Sequence, residues 1–151
     1  MKISLILCSL IIVCLAACAG KENKVNIPEN IKTKFMTMYP HASNVKWEME
    51  EGNYEAIYML EKNETSVILT PEGTLVQTET EVDEKLLPDN IKNYVASQLG
   101  GKKITSATAI EKPAGGTSFE VEVDKVDYLF DATGQYIGKE EEEKDEDGEK
   151  D

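Results

Sequence analysis

The chain has 151 residues and is strongly acidic, with 29 Asp and Glu against 16 Lys and Arg and a net charge of −13 at pH 7. Every basic residue is a lysine. Such a surface disfavours nucleic acid as a partner, because phosphate binding requires clustered positive charge. The length allows one domain with a real core, or two very small ones that share it.

The N-terminal segment has the layout of a secretory signal. Lys2 precedes an apolar stretch, Ile3 to Val13, and a run of small residues comes next and ends at Cys18. The apolar stretch is shorter than the roughly 20 residues that a membrane-crossing helix needs. The run Leu15-Ala16-Ala17-Cys18 resembles the bacterial lipobox, in which the cysteine is lipidated and the residues before it are removed. We therefore predict a signal peptide at 1–17 and lipidation of Cys18.

Processing at this position has consequences for cysteine chemistry and location. Cys8 and Cys14 leave with the signal, so the one remaining thiol is occupied by lipid and no disulfide can form. Residues 18–26 then serve as lipidated cysteine and tether. Ala19 is not the aspartate associated with inner-membrane retention, which favours a lipid anchor in the outer membrane, facing the periplasm or the cell surface.

Two segments sixty positions apart are similar to each other. Ile27-Pro28-Glu29-Asn30-Ile31-Lys32 recurs as Leu87-Pro88-Asp89-Asn90-Ile91-Lys92. Proline suits the first turn of a helix, where its missing N–H has no partner to lose. Apolar residues then recur at helical spacing in both copies, which predicts two helices. These residues are Ile31, Phe35 and Met38 in the first copy and Ile91, Val95 and Leu99 in the second.

After each helix the hydrophobic period changes from 3.6 to 2, which predicts strands separated by turns rich in glycine and proline. In the first copy the predicted strands begin at Val45 and extend over Asn53 to Glu61, Thr65 to Thr70 and Thr74 to Val82. In the second they cover Ile104 to Glu111, Thr117 to Asp124, Val126 to Asp131 and a short Gln135 to Ile137.

The predicted fold class is therefore α+β, with two tandem α-β4 repeats at 27–82 and 83–138. A unit of about 55 residues is marginal alone, so we expect the two units to share one antiparallel sheet with both helices on one face. From Lys139 the sequence is almost entirely charged and offers nothing to bury. We predict a disordered acidic tail over 139–151.

The repeat resembles a known family. The Leu/Ile-Pro helix openings, the run from Tyr39 to Glu48 (YPHASNVKWE) and Tyr54-Glu55-Ala56 leading to Pro71-Glu72-Gly73 look like the PepSY-like family of exported bacterial proteins. That family is related in fold to the β-lactamase inhibitor protein. The resemblance covers about 27–138. It implies one long sheet with a concave exposed face, which is the face that the inhibitor relatives use to bind enzymes. The second copy lacks the Tyr-Pro and tryptophan positions.

No residue pattern points to catalysis, a metal or a cofactor. His41, the single histidine, comes after Pro40 in a helix-to-strand connection and is interpreted as a turn residue, because acid–base work needs a positioned partner. One histidine without a free thiolate does not provide the ligands typical of a zinc site. Carboxylates are too numerous for any pair to be informative. We therefore predict no enzyme activity, no metal and no cofactor.

The predicted partner-binding residues lie in the first repeat. In an antiparallel sheet covered on one side, the uncovered side should alternate to polar, as Lys46-Glu48-Glu50 and Glu120-Glu122 do. The second strand carries apolar residues on both of its sides, so some of them must face away from the helix. The candidate contacts are Tyr54, Ile57, Tyr58, Met59 and Trp47. For Trp47, burial against the helix is the favoured alternative.

These features favour a membrane-anchored, non-enzymatic binding or inhibitory module for a protein or peptide ligand with basic edges. The alternative is a passive structural or envelope-maintenance lipoprotein without a dedicated ligand. A central strand capped by a loop, or a homodimer contact, would equally account for the apolar patch. The sequence carries no signal for an oligomeric state.

Overall fold

A computed structural model describes residues 25–141 of the chain. Cys18, the predicted signal peptide and the residues after Glu141 lie outside the described part. Within it, each half of the chain is one helix followed by four strands, which confirms the predicted fold class.

In the first half, α1 covers Glu29–Met38, β1 Lys46–Glu50, β2 Asn53–Leu60, β3 Asn63–Leu69 and β4 Leu75–Glu81. A short 3-10 helix, Glu84–Leu86, connects the halves. In the second half, α2 covers Asp89–Gln98, β5 Ser106–Glu111, β6 Thr117–Val123, β7 Val126–Asp131 and β8 Tyr136–Glu141.

Both helices begin in the same way. The carbonyl oxygens of Pro28 and Pro88 accept the first helical hydrogen bonds from the backbone N–H groups of Ile31 and Ile91, each at 3.0 Å. These isoleucines are fully buried beneath their helices. The repeated Pro-x-x-Ile pattern thus sets both the start of each helix and the face that it buries.

The eight strands form one antiparallel sheet in chain order, β1 to β8. Strand register shows that the two helices cover the same face, which we call the helix face. One row of facing residues crosses six strands on that face and joins the two cores: Tyr58, Thr65, Thr80, Ala109, Phe119 and Phe130. Tyr58 belongs to the apolar cluster under α1, and Phe130 to the cluster under α2.

Two hairpin glycines show how closely the repeats correspond. Gly73 comes after β3 and Gly134 after β7, with φ angles of +78° and +79°. A Cβ atom on Gly73 would lie 3.2 Å from Ile31, and one on Gly134 would lie 3.2 Å from Ile91. Both positions therefore combine a left-handed backbone with a close approach to the helix, which glycine alone tolerates well.

The end of the sheet differs from the prediction. β8 does not stop at Ile137 but continues to Glu141, and Lys139 and Glu140 pair with Tyr128 and Asp127 of β7. The predicted tail over 139–151 is therefore wrong for its first three residues. Backbone hydrogen bonds need no apolar side chain, and charged residues are common on edge strands because they discourage further pairing.

Candidate functional site

The five predicted contact residues lie on two different faces. Tyr54, Tyr58 and Trp47 pack with the apolar cluster under α1. The ring of Phe35 in α1 makes edge-to-face contacts with Trp47 and Tyr58, at centroid distances of 5.3 Å and 5.7 Å. Tyr58 is buried in this core, and Trp47 and Tyr54 are half-buried against it. This packing agrees with the alternative given for Trp47, and the partner-binding role of the three residues stays a prediction.

Ile57 and Met59 lie on the opposite side of the sheet, which we call the open face because neither helix covers it. Ile57 is half-buried between Lys46 and Ser66 of the neighbouring strands, and Met59 is 58% exposed. Ile68 and Ile110 lie on the same face and are buried. The open face therefore has an apolar component, and the partner-binding role of Ile57 and Met59 stays a prediction.

Carboxylates dominate the rest of the open face. Every strand except β5 contributes at least one: Glu48, Glu50, Glu55, Glu64, Glu79, Glu81, Glu120, Glu122, Asp127, Asp131 and Glu140. Within the described strands, Lys46 is the one cationic side chain on this face, and its Nζ lies 2.5 Å from Glu48 Oε1. Strand alternation therefore concentrates negative charge on one side of the sheet.

The open face is concave. The charge of Glu50 in β1 raises the pKa of Glu120 in β6, although the two strands are five steps apart in the sheet. Five steps of about 4.8 Å would separate these strands by about 24 Å in a flat sheet. Charges separated that far are screened, since the Debye length is about 8 Å at physiological salt. The sheet must therefore curl its first strand toward the sixth on this side.

Curvature explains why several open-face carboxylates are buried. Glu79, Glu120, Glu122 and Asp127 are between 2% and 8% exposed. Sequence alternation predicted Glu120 and Glu122 on the uncovered side, and register places them there. Their burial was not predicted, because alternation identifies the face of a strand but carries no information about the bending of the whole sheet.

Glu120 is the most perturbed carboxyl group of the face. Its side chain is 2% exposed, and neither carboxylate oxygen has a hydrogen-bond partner among the described residues. Burial, followed by the negative charges of Asp127, Glu79, Glu140 and Glu50, raises its pKa to about 9. Glu120 therefore holds a proton at neutral pH, because an unpaired buried carboxylate is too costly.

A second group of polar residues lies nearer the centre of the sheet. Glu79 accepts hydrogen bonds from Gln77 Nε2 at 2.6 Å and from the Ser66 hydroxyl at 3.4 Å. Glu55 lies beside it, and burial is the largest cause that raises its pKa to about 7, with smaller contributions from Glu79 and Glu48. Glu55 is thus partly protonated at neutral pH.

The described residues carry no arrangement for metal binding, since no three His, Cys, Asp or Glu side chains among 25–141 are grouped to hold an ion. His41 lies exposed in the turn after α1, as predicted. No helix in the described part of the chain has the length and apolar character needed to cross a membrane. The role of Cys18 lies outside the described residues.

Comparison with known proteins supports the fold. No family model and no curated protein matches the sequence, so membership of the PepSY-like family stays a prediction. Solved structures do match. A DUF2874 family protein from Bacteroides uniformis is 24% identical with a TM-score of 0.69, and the match covers 76% of this chain and 89% of that one.

Two further structures have the same architecture. A candidate periplasmic protein from Bacteroides eggerthii is 20% identical with a TM-score of 0.69, over 77% of this chain and 89% of that one. A BLIP-like protein from Bacteroides fragilis, similar to the β-lactamase inhibitor protein, is 22% identical with a TM-score of 0.66, over 83% of this chain and 94% of that one. The predicted relationship to the inhibitor fold is thereby confirmed.

Proposed function

We propose that this chain is an exported, membrane-anchored and non-enzymatic module that binds a protein or peptide partner on its open face. The observation that carries the proposal is the acidic concave surface left uncovered by both helices. A solvated acidic face does not require burial of its carboxylates, whereas this face buries four of them almost completely. Burial of ionisable groups is costly and is commonly retained where they serve a binding function.

The chemistry of the face indicates the kind of partner. Ile57, Ile68 and Ile110 supply apolar surface among the carboxylates, with Met59 exposed at one end. A partner with basic groups around an apolar centre complements this arrangement. In such interfaces the desolvated centre contributes most of the binding energy, and charge complementarity contributes specificity and association rate.

The neighbours support the proposed location and class of activity. The B. eggerthii protein is named as a candidate periplasmic protein, and the B. fragilis protein as BLIP-like. An exported inhibitor of a basic-surfaced protein agrees with both names and with the acidic open face. The anchor rests on Cys18: its replacement, Cys18→Ser, is expected to move the protein from the detergent phase to the aqueous phase in phase partitioning.

The binding surface is tested with the full-length gene product, purified in neutral detergent and used as bait for envelope extracts. The variant Ile57→Ser with Met59→Ser alters the open face. The matched control, Met36→Ser with Met38→Ser, alters two methionines of α1 that are 44% and 41% exposed. Wild type and control are expected to retain one stoichiometric partner that the open-face variant loses.

Two results would contradict the proposal. Equal retention of the partner by the open-face variant would place the interface elsewhere. Broad envelope association without a stoichiometric partner would favour the alternative, a passive envelope-maintenance lipoprotein.

A further inference from the structure

The open face contains one carboxyl group whose two oxygens are both buried without a hydrogen-bond partner among the described residues. Glu120 lies in the middle of β6, with Thr108 and Leu129 facing it on the two neighbouring strands. Both of its oxygens are buried and without a hydrogen-bond donor among the described residues. A buried polar group without a partner is uncommon in native structures and calls for a specific explanation.

Negative charge surrounds Glu120 from several elements of the sheet. Asp127 of β7, Glu79 of β4, Glu140 of β8 and Glu50 of β1 all act on it through their charges. This arrangement attracts a cation. Lys46, the one cationic side chain of the described strands on the open face, forms an ion pair with Glu48.

The residues around Glu120 are not all buried. Glu50, Leu129 and Glu140 are half-buried, so the rim around Glu120 reaches water although Glu120 itself does not. Glu50 and Glu140 lie on β1 and β8, the two edge strands of the sheet. A side chain that approaches Glu120 from these edges would meet the carboxylates of Glu50 and Glu140, whose charges both act on Glu120.

The two unpaired oxygens of Glu120 favour an arginine side chain over a lysine side chain. Two free oxygens on one carboxylate match the two parallel N–H donors of a guanidinium group, whereas an ammonium group is a point charge with no such fork. Guanidinium is also the more weakly hydrated of the two, which lowers the cost of burying it. No three acidic groups of the described chain are placed to hold a metal ion.

We propose that Glu120 is the receptor for one arginine side chain of the partner, which inserts between the edge strands and forms a two-point ion pair with this carboxylate. Asp127 and Glu79 supply further negative charge around the guanidinium. This inference rests on the proposed function, because it assigns a residue of the partner to a position on the open face.

Binding of the arginine displaces a proton. Glu120 is protonated in the free protein at neutral pH, and a guanidinium pairs with the ionised form. The carboxyl proton therefore passes to the buffer as the ion pair forms, without any other covalent change. Release of up to one proton per bound arginine distinguishes this site from carboxylates that are already ionised.

The test uses the full-length gene product in neutral detergent and the peptide acetyl-Gly-Arg-Gly-amide, with lysine and citrulline in place of arginine as comparison peptides. Binding is followed through the amide signals of Thr108 and Leu129 in NMR spectra, and proton release by calorimetry in two buffers of different ionisation enthalpy. We expect saturable binding of the arginine peptide with a Kd on the order of 1 mM.

The variant Glu120→Gln keeps the shape and the neutral state of the side chain, so it should fold normally. It is expected to weaken arginine-peptide binding by about tenfold or more and to abolish proton release. Glu64→Gln, an exposed carboxylate on the same face, is the matched control and should behave like wild type. Asp127→Asn provides a second test and should weaken binding without abolishing proton release.

Several results would overturn the inference. These are absence of saturable binding up to about ten times the expected Kd, equal binding by Glu120→Gln, equal binding of the citrulline peptide, or tighter binding of the lysine peptide. The outcome is separable from that of the proposed function. A partner that is retained by Glu120→Gln as by wild type, but lost by the Ile57 and Met59 variant, would refute this inference alone.

Discussion

Glu50 and Glu120 lie on strands five steps apart, yet the charge of Glu50 raises the pKa of Glu120. We predict that Glu50→Gln lowers the pKa of Glu120, because one like charge is removed from its surroundings. The pKa can be followed through the side-chain carboxyl carbon in an NMR titration. Glu64→Gln serves as the control and should leave the pKa of Glu120 unchanged. If Glu50→Gln also left this pKa unchanged, the sheet would be flatter than described.

Stability is expected to fall as the pH rises. The pKa of Glu120 is raised from 4.5 to about 9 in the folded protein. Below pH 4.5 the group is protonated in both states and adds no pH dependence to the free energy of unfolding. Above it the unfolded chain ionises while the folded chain keeps the proton, so stability is lost progressively up to about pH 9.

Glu120→Gln removes this dependence. At about 1.4 kcal/mol per pH unit, the wild type should lose on the order of 3 kcal/mol between pH 4.5 and pH 7 through this group. Glu55, whose pKa is raised to about 7, adds a smaller loss in the same direction. Urea unfolding of the two proteins across this range measures the difference, and parallel curves for both would contradict the assignment.

Residues of β2 on the helix face and on the open face should respond differently to substitution. Tyr54→Ser with Tyr58→Ser removes two rings that pack with the apolar cluster under α1. Because large core truncations typically cost about 3–5 kcal/mol each, we expect this double variant to be unfolded at room temperature. Ile57→Ser with Met59→Ser should leave it folded. Circular dichroism during thermal unfolding compares the pairs, and unfolding by both would exclude an exposed patch on β2.

Truncation at the C-terminus distinguishes the end of β8 from the residues beyond it. Deletion of 142–151 should change the free energy of unfolding by less than about 1 kcal/mol, because the sequence of this segment contains no apolar residue to bury. Deletion of 139–151 also removes Lys139, Glu140 and Glu141, which pair with β7, and should cost measurably more. Equal effects of the two deletions would show that the last residues of β8 add no stability.

Much of the fold can be predicted from the sequence because its signals are local. Pro28 and Pro88 mark helix starts, and alternating residues such as Lys46, Glu48 and Glu50 mark one face of a strand. Pairing of the two halves is expected from the small size of each. The end of β8 was missed because pairing of charged residues such as Glu140 depends on the backbone of β7, which no local pattern reports.

The candidate site was predicted only in part. Alternation placed Glu120 and Glu122 on the uncovered face and left open which parity of β2 joins them. Their burial depends on curvature accumulated over the whole sheet, which brings Glu50 toward Glu120 across five strand steps. A pattern of acidic residues two apart, as at 48/50, 79/81 and 120/122, is the sequence signal that marks this face.

The open face is the surface on which we expect the partner to bind. The most direct measurement places a photo-crosslinking amino acid at Met59 or, separately, at Met36, which are 58% and 44% exposed on opposite sides of the protein, and irradiates living cells that make the full-length chain. We expect a discrete crosslinked partner from position 59 and none from position 36. A partner crosslinked from position 36 but not from 59 would contradict binding at the open face.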